Sequence, residues 1–587
     1  MVAISTSLLD YAKDCLEQLQ GDAIVVTGVD RFFQPLYGEQ ASPIQWLTGF
    51  DGSSATVLVT KTGVDLITDA RYTAYAKDKV LPSVRVLDQQ DTSLESLLAQ
   101  TFPQQATIIF DPWRVSVALF NKLSQLLPHL EFVGASYDVF EKKTQPSLSP
   151  GNIYVLDKSD ASVLRSCMKI RDSLADDEAL FCGDCVSLSW LVGLRQQTPS
   201  YVPATNMYGL LSKTSFFLWC DLSCVSDDVR AYVSPWASLL PIDDFEATFT
   251  SIMDMSSLVY VPEKTPYEVW RLVIQDKRPT RSIANPITPL QIIKTETELA
   301  HLKQVQQKEG VAFSRLFFDI DKAMSAAEPL TEWDIVSRLE EIRQEQRSYK
   351  GPSFPTIAST GVNGAFVHYH PKQDQAAPLA PGQILLVDAG GHYWPGGTTD
   401  TTRTVALGDM HDPYISAAYT RVLKGMIAHT CAVFPEKTRG VHLEALARQF
   451  LWQEGLDYAH ATGHGVGYFL NVHEPPTLSG RDDGIALKPG MTVTCEPGYY
   501  REGAFGMRLE NMMAVVTAPL KGFLTFDVLT LVPFDYRLID LRALTPAEMA
   551  WMNHYHDTVF DTISPLLGET SLQNWLQAKT SPLEILS

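Results

Sequence analysis

Short apolar runs stopped by polar residues or glycine dominate the first 110 positions. DAIVVTG (22–28), ATVLVT (55–60), VDLITD (64–69) and TIIFD (107–111) predict buried or half-buried strands. RYTAYAKDKV (71–80) and SVALFNKLSQLL (116–127) predict helices between them. An α/β domain over residues 1–155, a mixed sheet covered by helices, follows. Residues 156–285 repeat the style. VYVPE (259–263), FFLWCDL (216–222) and RAYVS (230–234) are predicted strands, and LADDEALFCGDCVSLSWLVGLRQQ (174–197) is predicted to be one helix. The two units share an order of elements but no visible identity.

Pro286 and Pro289 mark a linker. Thr295 and Glu298 have capping-box spacing, and Leu299, Leu302, Phe313, Phe317 and Ile320 recur at helical intervals. A long amphipathic helix is therefore predicted to open a third domain, 286–587. TEWDIVSRLEEIRQEQRS (331–348) predicts a second helix whose acidic first turn suits the helix dipole. The periodicity then shifts to strands in FPTIASTG, QILLVDAGGHYW, TTRTVALG, MTVTCEPGYY and NMMAVVT. Helices are predicted at 413–434 and 442–455, and again in the tail at 544–568 and 570–579. The third domain is expected to be α+β, with its polar ends on adjacent strands and loops of one sheet.

A chain of 587 residues exceeds one hydrophobic core, and its 45% hydrophobic and 20% charged residues are those of a globular protein. The net charge of −21 offers no basic stretch to meet phosphates, so no nucleic-acid partner is expected. No apolar run is long enough for a transmembrane helix, and residues 1–20 form an amphipathic pattern rather than a signal peptide. The expectation is a cytoplasmic protein without a membrane partner, its eight cysteines reduced. Cys182-x2-Cys185 with Cys220-x3-Cys224 has a zinc-like spacing, but the flanking runs are those of a buried helix and strand, so a structural role is expected.

The candidate chemistry lies between Leu385 and Glu510. Asp388 closes an apolar run, and Asp400 follows in GGTTDTTRT, where a hairpin brings both to one point. His464 sits in TGHGVG, whose glycines permit close backbone approach. Glu496 follows MTVTC, and Glu510 is placed inside an apolar strand, where Arg508 offers an ordinary ion-pair partner. One imidazole and four carboxylates suit hard divalent ions such as Mn²⁺, and their charge calls for two metals. His473, in FLNVHE, is a candidate for holding a substrate carbonyl or a developing negative charge.

These motifs resemble the pita-bread metallopeptidases, family M24. SFPTIASTGVNGAFVHYHP, GTTDTTRTVALG, HATGHGVGYFLNVHE, EPGYYREGAFGMRLEN and LTLVPFDYRLID, with WLTGFDGSSATVLVT and TDARYTAYAKD near the start, resemble its three-domain cytosolic aminopeptidase P branch. The resemblance implies two creatinase-like α/β domains before a pita-bread catalytic domain with a helical C-terminal extension. It also implies two divalent ions, most often Mn²⁺, on Asp388, Asp400, His464, Glu496 and Glu510. It assigns His368 to substrate contact and proton movement, His473 to the scissile carbonyl, His460 to the pocket wall and Arg71 to the peptide beyond the cleaved bond. A homodimer is implied too.

The expected reaction is hydrolysis of the N-terminal Xaa-Pro bond by a hydroxide held between the two metals, with Glu496 as general base. A prolidase restricted to dipeptides and a non-catalytic pita-bread binding module are the alternatives. The chain departs from the family pattern at Pro395-Gly396-Gly397, at Cys495, at NVHEPP and in the loop at 194–209.

Overall fold

The computed structural model describes residues 14–35, 42–135, 151–156, 160–196, 201–253 and 256–584. The predicted N-terminal helix lies mostly outside them. The chain divides into two compact units, Met1–Leu290 and Gln291–Ser587.

The first unit holds two six-stranded mixed sheets. In one, Ala23–Thr27 runs antiparallel to Ala55–Thr60 and parallel to Ala106–Phe110. Val64–Thr68 and Val84–Asp88 extend one side, and Leu130–Gly134 closes the other. In the second sheet, Glu178–Cys182 takes the central place. It lies antiparallel to Met207–Ser212 and parallel to Ser257–Tyr260. Phe216–Cys220, Ser238–Pro241 and Thr280–Ser282 fill the remaining places with the same directions. Strand order and polarity are thus identical in the two sheets.

Two predictions fail in the second sheet. Residues 174–197 are not one helix: Glu178–Cys182 is a strand, and the helix Cys185–Val192 begins only after Asp184 caps it. Gly183 makes the corner, because a Cβ there would lie 2.1 Å from the Lys264 carbonyl oxygen. RAYVS is not a strand either. It lies largely in the helix Asp227–Val233, where Ser226 caps the N-terminus and Asp227 and Asp228 complement the dipole.

The second unit opens with the 30-residue helix Glu296–Ser325, started by the Thr295–Glu298 capping box. Leu302, Phe313, Phe317 and Ile320 form its buried stripe, each contributing roughly 2–3 kcal/mol of burial. Helix Glu332–Gln344 packs beside it. A three-stranded antiparallel sheet is built from Ile357–Thr360, Ile384–Ala389 and Thr401–Ala406. A six-stranded sheet runs in the order 434–435, 523–528, 511–517, 492–495, 463–465, 474–478. Helices Pro413–Thr430, Gly440–Trp452 and Pro546–Ile563 share a buried core with it. Among the described residues, no helix is long and apolar enough to cross a membrane.

Candidate metal centre

The site draws on both the three-stranded and the six-stranded sheet of the second unit, not on one sheet as expected. Asp388 lies on strand Ile384–Ala389, opposite Thr402, and Asp400 directly precedes strand Thr401–Ala406. His464 lies on Gly463–Gly465, and Glu496 follows Thr492–Cys495. Glu510 is not inside a strand. It occupies the break between Phe505–Arg508 and Asn511–Thr517, which turns its carboxylate across the seam. The Glu510 N–H donates to the Thr402 carbonyl at 3.0 Å, and Thr404 Oγ1 both accepts from the Arg508 N–H and donates to its carbonyl.

The glycines beside His464 have a steric reason. A Cβ at Gly463 would lie 2.0 Å from the Thr494 carbonyl oxygen, and one at Gly465 would lie 2.3 Å from that of Pro475. Only glycine lets this strand lie so close to both neighbours. His464 Nδ1 donates to the Gly465 carbonyl at 2.9 Å, so Nε2 is the ring nitrogen turned towards the carboxylates. That nitrogen stands 3.4 Å from Asp400 Oδ2 and 3.6 Å from Glu496 Oε1. One ligand atom each from Asp400, His464 and Glu510 falls within 4.8 Å of the others.

Asp388 and Glu510 each have one oxygen held and one left over. Arg508 donates to Asp388 Oδ2 at 2.5 Å, while Oδ1 is buried with no hydrogen-bond partner among the described residues. Thr402 donates to Glu510 Oε2 at 2.9 Å, while Oε1 is likewise without one. Arg508 therefore pairs with Asp388, not with Glu510. A buried anionic oxygen without a donor is costly, and one oxygen fixed by the protein with the other free is how a ligating carboxylate is oriented.

The electrostatics agree. Burial, opposed by Arg508 and reinforced by Asp400, pushes Asp388 up to about 6. Burial and the neighbouring carboxylates, opposed by His464 and Arg508, push Glu496 up to about 7. Burial and three carboxylate neighbours raise Glu510 well above the ordinary range. Burial pulls His464 down, but Asp400 and Glu496 outweigh it and hold the imidazole at about 9. The donor set carries more negative charge than Arg508 and His464 balance, and it fits divalent cations.

The remaining predicted residues fall as follows. His473 is exposed, its ring 4.3 Å from that of His464. His460 is buried, with Nε2 2.9 Å from the Tyr500 hydroxyl, which in turn accepts from Arg508. His368 is half-buried, one residue after Val367, whose carbonyl accepts from Arg508 at 3.4 Å. Arg71 belongs to the first unit, where Asp69 clamps its guanidinium at 2.8 and 2.7 Å. Cys182, Cys185, Cys220 and Cys224 are buried cysteines in no disulfide and join no metal-binding group among the described residues.

Three contributors escaped sequence reasoning. Thr402 orients Glu510, Tyr500 holds Arg508, which pairs with Asp388, and a buried network stands behind the hairpin that carries both aspartates. In it, Glu309 accepts from Tyr393, Thr399 and Arg343, and Arg343 donates to the Gly390 carbonyl. The alternation of strand Thr401–Ala406 carried the signal for Thr402, which faces the same side as Thr404.

Residues 300–517 match metallopeptidase family M24, and 522–583 match the C-terminal region of peptidase M24. Residues 9–142 and 144–298 each match a creatinase/prolidase N-terminal domain. The chain belongs to metallopeptidase family M24, with two creatinase-type domains ahead of the pita-bread domain. It is 31% identical to aminopeptidase P1 of Lotus japonicus, over 96% of this chain and 97% of that one. It is also 31% identical to mouse Xaa-Pro aminopeptidase 2, over 99% and 90% of the two chains. Among solved structures, the Caenorhabditis elegans X-prolyl aminopeptidase, described as a cytosolic enzyme with a di-nuclear active site, superposes with a TM-score of 0.93. The two are 25% identical, and the match covers 99% of this chain and 100% of that one.

Proposed function

We propose that this chain is a metal-dependent aminopeptidase that removes the first residue from peptides with proline second. The observation that carries the reading is the pair of orphaned carboxylate oxygens, on Asp388 and Glu510, together with the ligand atoms of Asp400, His464 and Glu510 lying within 4.8 Å of one another. Asp388, Asp400, His464, Glu496 and Glu510 would hold two divalent ions, with Mn²⁺ favoured by the oxygen-rich set. Such ions supply a Lewis acid for the scissile carbonyl and make water a nucleophile at neutral pH.

The chain's own groups complete the reaction. Glu496, with Oε1 3.6 Å from His464 Nε2, accepts the proton from the attacking water, a role that rests on the family resemblance. His473 donates to the developing oxyanion, a role supported by its ring lying beside that of His464. By the family resemblance, His368 helps deliver a proton to the proline nitrogen, which leaves as a secondary amine, or positions the group that does. His460 lines the pocket and Arg71 reaches the peptide beyond the cleaved bond; both assignments rest on the family resemblance. A cytoplasmic homodimer and domain limits at 155 and 285 belong to the same reading. The two six-stranded sheets, one ending at Gly134 and the other starting at Glu178, support a limit between those positions.

The test is hydrolysis of an Xaa-Pro-Xaa tripeptide and an Xaa-Pro dipeptide, after chelation and again after adding Mn²⁺. Tripeptide cleavage restored by Mn²⁺ is expected. Cleavage of the dipeptide alone would make the chain a prolidase, and no cleavage of either by metal-loaded protein would end the enzymatic reading.

A further inference from the structure

Glu332 is a fully buried carboxylate far along the chain from any predicted ligand. It opens helix Glu332–Gln344, directly after the Thr331 cap. It has no ion-pair partner among the described residues, and every side-chain or backbone donor that meets its carboxylate comes from one stretch, 360–377. Oε1 accepts from the Thr360 N–H at 2.8 Å and Asn363 Nδ2 at 3.1 Å. Oε2 accepts from the Tyr369 hydroxyl at 2.9 Å, Asn363 Nδ2 at 3.0 Å and the Ala377 N–H at 2.9 Å. Five contacts from neutral donors replace the water that an isolated charge would lose.

That stretch contains His368, flanked by Val367 and Tyr369. Its other side is fixed too. A Cβ on Gly364 would lie 2.8 Å from the Gly506 nitrogen, and one on Gly506 would lie 1.7 Å from the Gly364 carbonyl oxygen. The Val367 carbonyl meets Arg508, the partner of Asp388. The stretch is thus gripped between the Glu332 carboxylate and the strand that runs into the metal centre. Tyr369 is the direct link, since its hydroxyl is bonded to Glu332 while its backbone adjoins His368.

We propose that Glu332 is a positioning residue that fixes His368 for proton delivery to the leaving proline nitrogen. The inference rests on the role given above to His368. Glutamine at 332 keeps the volume but turns part of an acceptor-only group into a donor facing donors, so the stretch loses its register without losing its helix. A small displacement of a catalytic group costs turnover steeply.

The experiment is a double-mutant cycle on the Mn²⁺-loaded enzyme with an Xaa-Pro-Xaa tripeptide, using E332Q, H368A and both together. Metal content is measured alongside, with hydrogen exchange over 360–377. E332Q is expected to lower kcat about 10- to 100-fold, to leave bound metal unchanged and to speed exchange in 360–377. In the H368A background the same change should cost less than about threefold. Full multiplication of the two losses, or wild-type kcat in E332Q, overturns the role of Glu332. Wild-type kcat in H368A overturns the role of His368 instead. If E332Q does not fold, Tyr369→Phe removes one bond to the same carboxylate and carries the same cycle.

Discussion

Glu309, Glu332 and Glu510 are almost equally buried, at 0%, 0% and 1% exposure, yet they sit in opposite environments. Glu309 and Glu332 have donors on both oxygens. Glu510 has one donor on one oxygen and three carboxylates around it. A frame carboxylate is finished by the protein; a site carboxylate is left for something the chain does not encode. Burial does not separate the two kinds. Satisfaction does.

The largest expected effect follows directly. Asp400→Ala or Glu510→Ala should bring Xaa-Pro hydrolysis to background and lower bound metal, read by peptide assay and elemental analysis. Without metal, Glu510→Gln should hold or raise stability, because it removes one charge from a crowded set. Glu309→Gln should instead cost about 3–5 kcal/mol by stranding Arg343. Urea midpoints of the two metal-free variants decide this. Equal losses would erase the distinction between frame and site.

Next in size is the response to metal. Mn²⁺ at a hundredfold excess over its Kd should stabilise the wild-type chain by about 2.7 kcal/mol and should do little for Asp400→Ala, a contrast that thermal melting would resolve.

Imidazoles extend the comparison. His464 among carboxylates is held at about 9, whereas burial in an apolar core pushes His429 down to about 4. His429 lies against Phe526, and neither ring nitrogen has a partner among the described residues. Its folded pKa is below the unfolded value of about 6.5, so the unfolded chain takes up the proton first as pH falls. Stability is complete above that value and is lost downward towards about 4. At pH 5 the loss should be about 2 kcal/mol, and His429→Leu should abolish that part of the pH dependence. Urea midpoints at pH 7 and 5 would show it. The smallest expectation is no change: Cys224→Ala should leave metal content and kcat as they are.

Local patterns were enough for the central strands of the first sheet and for the Thr295 capping box, and they singled out the five candidate ligands. Each of these depends on neighbours in sequence: an apolar run, a three-residue spacing, a polar residue closing a strand. Residues 178–182 and 230–234 misled for the same reason. EALFC continues into the apolar CVSLSWLV, and nothing local announces that the Lys264 carbonyl will occupy the space beside Gly183. Tyr232 and Val233 favour strands by type, but Ser226 and two aspartates start a helix ahead of them.

By itself, then, the sequence determined which side chains are available to bind metal and roughly which element carries each. It also implied the M24 resemblance. Only the tertiary structure decided that Arg508 serves Asp388, that Thr402 serves Glu510, and that two sheets rather than one build the centre. It alone revealed the shared strand order of the first unit's two sheets. The physical reason is range. Periodicity and capping act over a few residues, whereas satisfying a buried charge draws on donors 108 and 120 positions away, and those meet only once the chain has folded.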